Sequence, residues 1–266
     1  KDTPVGPIVQ KLAAAVNRAS NNLNVRSDLK FEYGAAGTNL LLDSLEASSR
    51  SGAEARLSDP LAFIIDGNGF AMGGTGNFSL SGGGFPELRL ALDSGSLTRG
   101  LSGRLQMASY QSGGAKLSLP SLRFSPARGG GTNFDGRVIL TGPLPDGQIT
   151  GLQVPVNGRI GSSGDFALFR ECITVQFASL KMSTLTAGPT RTSLCPQGGS
   201  RLSGNRDGVN IATRANGLSL NGAIGGTPLS IASGGFGFSL RNGLQANNVR
   251  VRLGVGEDQT RMDMAL

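Results

Sequence analysis

The chain has no histidine and no tryptophan, and its 266 residues include only two cysteines, two tyrosines and twelve phenylalanines. Without histidine there can be no Ser–His–Asp triad, Cys–His dyad, HExxH zinc site, histidine-ligated haem or imidazole pH switch. Charged residues make up 16% of the chain, against roughly a quarter in ordinary domains. That low share, with apolar residues dispersed throughout, excludes a charge-rich disordered chain. No apolar run reaches the length of a membrane-spanning helix. Glycine is the residue in excess, at 42 of 266, about twice its usual share. It shows no every-third-residue period, so collagen is excluded. A glycine-rich, turn-rich, all-β chain is expected.

The charge balance is +7, from 25 Lys and Arg against 18 Asp and Glu. The bases are spread singly, and the closest pair, Arg250-Val251-Arg252, alternates as on one strand face. Nucleic-acid binders cluster their bases and interleave stacking aromatics, so nucleic acid is not expected as a partner. Weak attraction to an anionic membrane surface fits better, and solvated strand faces are the plainer explanation. Cys172 and Cys195 are too few for a disulfide scaffold and belong to no CxxC. The residues alone leave two states open, a cross-strand pair in an oxidising compartment or two buried thiols. The chain begins at Lys1 without a methionine and reads as a piece of something longer.

One segment has helical spacing. Thr3 can cap it, Pro4 suits the first turn, and Ile8, Leu12, Ala15 and Ala19 form a stripe that ends at Asn21-Asn22. The spacing predicts a docked or capping helix over residues 4–22. From about residue 25 the period becomes two. Leu88, Leu90 and Leu92 alternate with polar or small residues; Leu117 and Leu119 continue across Pro120 into Leu122 and Phe124. Phe134, Val138 and Leu140 follow, then Val154 and Val156, Val175 and Phe177, Val209 and Ile211, Leu218 and Leu220, and Leu229 and Ile231. Phe236, Phe238 and Leu240 precede Val249, Val251 and Leu253. Gly, Asn, Asp, Ser or Pro bounds each stripe, with Ser51-Gly52 and Asn242-Gly243 as natural hairpin turns. This predicts one long antiparallel meander of fifteen to twenty strands, apolar on one face. No fixed repeat supports a propeller or solenoid. Gly82–Gly84 and Gly129–Gly131 read as bends, and the Cys172–Cys195 region as a hairpin interrupting the meander.

Catalytic patterns are missing. Gly67-Asn68-Gly69 lacks the third glycine of GxGxxG at its place, and neither GK[ST] nor GxSxG occurs. Asp165 and Glu171 could pair as carboxylates, but such acids are usually surface turn residues. Gly73–Ser81 approaches the calcium nonapeptide, yet Phe78 stands where the liganding Asp belongs. The stretch reads as a glycine turn feeding a strand with Phe78 and Leu80 inward. No enzyme activity, cofactor or metal is expected.

A long sheet with one apolar face must cover it, by closing, by pairing with a second sheet, or by curling into a trough around an apolar ligand. The sequence resembles the YdbH branch of the AsmA-like superfamily, relatives of TamB in Gram-negative bacteria. The resemblance rests on Asp2-Thr3-Pro4 and its helix, Ser48–Ala53, Leu80–Pro86, Tyr110 before Gly113-Gly114-Ala115, and Leu140–Leu144. It is most specific in Cys172 with Val175–Leu180, Gly188-Pro189-Thr190-Arg191 and Leu194-Cys195-Pro196, and covers the chain to about residue 205. It implies an internal segment of a periplasmic, inner-membrane-anchored protein whose curled, taco-like β-groove carries phospholipid acyl chains between inner and outer membranes. Lining candidates are then Phe78, Leu80, Leu88, Leu90, Leu92, Leu117, Leu119, Phe134, Val138, Leu140, Val154, Val156, Phe236, Phe238, Leu240, Val249, Val251 and Leu253. The oxidising periplasm so implied predicts a Cys172–Cys195 disulfide. Envelope protein partners stay unidentified. The alternative is a non-enzymatic structural or adhesive envelope module with a closed, dry core.

Overall fold

The computed structural model describes residues 5–34, 37–66, 69–96, 100–161, 165–169, 171–196, 202–205, 208–210, 212–215, 217–239, 243–256 and 259–264, with backbone alone for a minority of these. One helix, α1 (Gly6–Ser20), opens the chain. Its N-cap is Val5 with no side-chain cap bond, and Pro7 is the proline of the first turn, so the helix starts later than residue 4. Thr3 and Pro4 lie outside the described residues. Asn21 is the C-cap, as the sequence suggests.

Every paired strand is antiparallel, and all belong to one curled, unclosed sheet. Strands begin at Leu23 and include β1 (Leu23–Gly34) and β2 (Gly37–Ser49). The next two rows are each broken in the middle: β3 (Glu54–Leu57) with β4 (Leu61–Asp66), and β5 (Gly69–Gly73) with β6 (Asn77–Ser81). Five unbroken rows follow: β7 (Leu88–Ser96), β8 (Gly100–Ser112), β9 (Ala115–Pro126), β10 (Thr132–Leu144) and β11 (Gly147–Ile160). Row ten joins β12 (Phe166–Leu168), β13 (Ile173–Phe177) and β14 (Ser179–Met182). Row eleven joins β15 (Leu185–Ala187), β16 (Thr190–Pro196) and β17 (Leu202–Asn205). Row twelve joins β18 (Gly208–Asn210), β19 (Ala212–Ala215) and β20 (Leu218–Ile224). Then come β21 (Thr227–Ser233) with β22 (Gly235–Ser239), β23 (Gly243–Asn247) with β24 (Val249–Leu253), and finally β25 (Thr260–Met264). Each row pairs with the next, so the 25 segments make a meander of fifteen rows, roughly 70 Å long at ~4.8 Å per row.

Between β9 and β10 the register slips at Arg137/Ile139, and between β10 and β11 at Leu140/Gly142. Gly151 (φ 63°) carries the slip into β11, where its amide donates to Thr141 Oγ1 at 2.9 Å. The Ala178 amide donates to the Thr150 carbonyl, Gly188 to Asn221 and Gly234 to Asn247, at 2.9, 2.9 and 3.1 Å. Asn248, at φ 49°, separates β23 from β24. A bulge bends its strand and increases its twist. Irregularities of this kind recur in most rows and bend the sheet into its curl.

The helix caps one corner of the sheet. Ile8 (4% exposed) packs with Tyr110 and Ala115, and Leu117 closes the cluster. The Tyr110 hydroxyl donates to the Gly84 carbonyl at 2.5 Å, and Arg18 Nη2 donates to the Gly83 carbonyl at 3.3 Å. Lys11 Nζ donates to the Gln111 carbonyl at 2.8 Å and lies 4.6 Å from the centre of the Tyr110 ring. Gly83, at φ 57°, passes so close to Ala53 that an added Cβ would lie 2.6 Å from the Ala53 Cβ. The Gly82–Gly84 bend is thus a packed part of the cap. Among the described residues no helix is long and apolar enough to cross a membrane.

Candidate functional site

In an antiparallel pair, directly opposed residues share a face. The register therefore traces the apolar surface from row to row. Leu57 faces Phe78, Phe78 faces Leu90, Leu90 faces Leu105 and Leu105 faces Leu122, followed by Gly136 and Val156. A second ladder runs from Ala55 through Leu80, Leu88 and Met107 to Leu119. Leu117 faces Leu140, which faces Leu152, and Val138 faces Val154. Farther along the chain, Leu220 faces Ile231, Ile231 faces Val251 and Val251 faces Met262, while Leu229 faces Leu253.

The sequence candidates whose side chains are described thus share one face of the sheet. Leu92 ends the second stripe opposite Gly103, Phe134 sits between Phe124 and Gly158, Phe236 between Ala215 and Ala246, and Val249 faces Met264. Phe238 pairs with Thr213 in backbone register, but its side chain, like all of Leu240 and Ile211, lies outside the described residues. Sequence reasoning missed Leu105 and Met107 of β8, although Leu101, Gly103, Leu105 and Met107 alternate visibly. It also passed over Leu40, Leu42 and Leu45 of β2, where consecutive leucines at 40–42 hide the period.

The surface is apolar but not filled. Most of its side chains are half-buried; Leu57, Leu140, Leu229 and Val249 are buried, Met262 is exposed, and among the described residues no large side chain is less than 2% exposed. The chain exposes 15848 Å², whereas a compact monomer of its mass exposes about 11,000 Å². The two-layer closure of a sandwich would bury such a stripe; here the sheet stays unclosed and most of the stripe is left half-buried.

The opposite alternation is polar. Arg104 faces Arg123, Arg123 faces Asp135, and Arg89 faces Gln106. These residues, with Asn77 and the phenylalanines at 78, 124 and 134, border a depression of about 890 Å³. Asp165 and Glu171 are exposed. Among the described residues no group of three or more His, Cys, Asp or Glu could hold a metal. Among the described residues two groups titrate away from their ordinary values. Burial raises the Tyr110 phenol, opposed by Arg18, and the hydrogen bond and charge of Asp43 raise the Lys30 ammonium.

Cys172 and Cys195 form a disulfide. They follow the register Ile173 opposite Leu194, so the bond ties row ten to row eleven. The region does not interrupt the meander as the sequence suggested, because β13 pairs with β11 on one side and β16 on the other. A disulfide of this kind suits an oxidising compartment. Comparison of the chain with known protein families, with curated proteins and with solved structures finds no match.

Proposed function

We propose that this chain is a segment of a periplasmic, bridge-like lipid transfer protein, anchored elsewhere in its full length, whose trough holds phospholipid acyl chains on their way between inner and outer membranes. The supporting observation is the unfilled apolar ladder, continuous through successive rows and left half-buried by an unclosed sheet. An acyl chain laid against it gains roughly 0.8 kcal/mol for each CH₂ buried, which offsets the loss of bilayer burial. The lining is chemically uniform, so no position grips a lipid more tightly than the next, and sliding stays cheap. Its work is binding and guidance rather than bond chemistry.

Photocrosslinking in cells tests the reading. Probes at Val138 and Leu90, on the apolar ladder, should capture phospholipid, while probes at Arg137 and Arg89, one residue over on the polar alternation, should not. Native mass spectrometry of the purified chain should find co-purified phospholipid. Inward probes that capture no lipid would return the chain to the alternative of a structural or adhesive envelope module.

A further inference from the structure

The first row is an open edge of the sheet among the described residues. All twelve residues of β1 are exposed, and among the described residues β1 pairs with β2 alone. Its outer edge presents unpaired backbone N–H and C=O groups, the feature natural sheets protect with short strands, prolines or bulges. β1 is twelve residues long and has no proline, and the bulge in its pairing with β2 falls at Asp43 of β2, on the side away from the open edge. Its odd positions, Leu23, Val25, Ser27, Leu29, Phe31 and Tyr33, lie on the same side as Leu40, Leu42 and Leu45, and Phe31 and Tyr33 are 66% and 83% exposed. Its even positions carry Arg26, Asp28, Lys30 and Glu32.

We propose that β1 is a homodimer edge, two copies pairing through antiparallel β1 strands centred on Leu29. The charge order selects this register. A two-fold axis at Leu29 sets Arg26 opposite Glu32 and Asp28 opposite Lys30, and each pairing occurs twice, so all four charged positions meet the opposite sign. Centring on Asp28 sets that carboxylate against its own copy and Arg26 against Lys30. Centring on Lys30 sets ammonium on ammonium and Asp28 against Glu32. Opposed like charges destabilise a strand pair, while opposed unlike charges stabilise it. Lys30 already bonds Asp43 of β2, and an ammonium has donors for a second carboxylate. In the Leu29 register the apolar face matches as well, with Val25 opposite Tyr33, Ser27 opposite Phe31 and Leu29 on the axis.

The two-fold keeps both apolar faces on the same side, so the ladder of one copy continues into the other. The far terminal row, β25, also pairs on one side only among the described residues. With fifteen rows, each antiparallel to the next, β25 runs parallel to β1. Head-to-tail joining therefore has the wrong polarity for the meander, and β1 against β1 keeps it.

Sedimentation of the full chain over a concentration series tests the edge, with circular dichroism to verify that each variant is folded. The chain should be a reversible dimer, and Arg26→Glu, at an exposed position, should weaken dimerisation by roughly tenfold or more through two new like-charge contacts. Glu32→Arg alone should do the same. The exchange Arg26→Glu with Glu32→Arg should restore dimerisation, an outcome a general loss of folding cannot imitate. Leu29→Cys supplies a register test, because the native cysteines are already paired. Opposed strand residues lie within disulfide reach, so this variant should form a covalent dimer on oxidation. A chain that stays monomeric at every soluble concentration, or a dimer that ignores the charge exchange, or a folded Leu29→Cys variant that never crosslinks, overturns the proposal.

Discussion

The corner under α1 and the remainder of the trough are made from the same material and end in different states. In both, apolar residues alternate along antiparallel rows. Under the helix, Ile8 and Ala15 cover the sheet, and Tyr110 (5% exposed) and Ala115 (1%) become true core. Away from it, Leu90, Leu119 and Val138 have the same neighbours within the sheet but no second layer, and they stay half-buried. The contrast shows that α1 turns its corner of the stripe into core, whereas away from the helix buried members such as Leu57, Leu140, Leu229 and Val249 alternate with half-buried ones.

The largest expected effect breaks the covered side of the comparison. Tyr110→Ala removes a buried ring and its hydrogen bond to Gly84 and should cost about 3–4 kcal/mol, read as a lowered urea midpoint. Leu90→Ala, on the uncovered ladder, should cost only about 1 kcal/mol, because part of its surface is already in water. Equal losses would mean that the two regions are packed alike. Next in size is the Cys172–Cys195 bond, which closes a loop of sequence separation 23. Its removal by Cys172→Ala with Cys195→Ala should lower stability by about 3 kcal/mol on loop entropy. Maleimide labelling of the denatured, unreduced wild type should find no free thiol.

A charge on the open ladder sharpens the comparison further. Val138→Asp should leave the chain folded, since water reaches the trough, at a cost of about 1–2 kcal/mol, while abolishing phospholipid co-purification. Ile8→Asp, placing the same charge in the covered corner, should undock the helix. The smallest effect is the pH response of the cap. Because burial raises the Tyr110 phenol above 10.0, the neutral form is favoured when folded. The sign follows: its contribution is intact below pH 10 and is lost as pH rises through the elevated value. Thermal melts at pH 9 and pH 11 should differ more in the wild type than in Tyr110→Phe; equal shifts would remove Tyr110 as the cause.

Much of the fold was legible locally. The alternations at Leu88–Leu92, Phe134–Leu140 and Val249–Leu253 each predict a strand with a defined inner face, and the register places their described members on one ladder. Pro120 was legible as an interruption within a continuing stripe, and the slip between Leu119 and Leu122 is the bulge it marks. The helix was legible in existence but not in its start, because Pro4 and Pro7 both suit a first turn and only packing against the β8–β9 turn selects between them. The strands before Phe78 were harder to read. In β2 the bulge at Asp43 breaks the period of two, so Leu40, Leu41 and Leu42 look like a run with no preferred face.

The sequence by itself determined the class of structure, an antiparallel β meander with one helix and one apolar side, because alternation and turn chemistry act over a few residues and need no partner to be read. It also determined which cysteines could meet, since only two exist. Tertiary structure alone decided the rest. The curl depends on irregularities accumulated over many rows, which no single row contains. The burial of Tyr110 and Ala115 depends on where α1 docks, more than eighty residues away from them in sequence. And the exposure of β1 depends on what stands beyond the last hydrogen-bonded row, which is a property of the sheet's edge and not of the strand, whose own alternation matches that of rows buried in the middle.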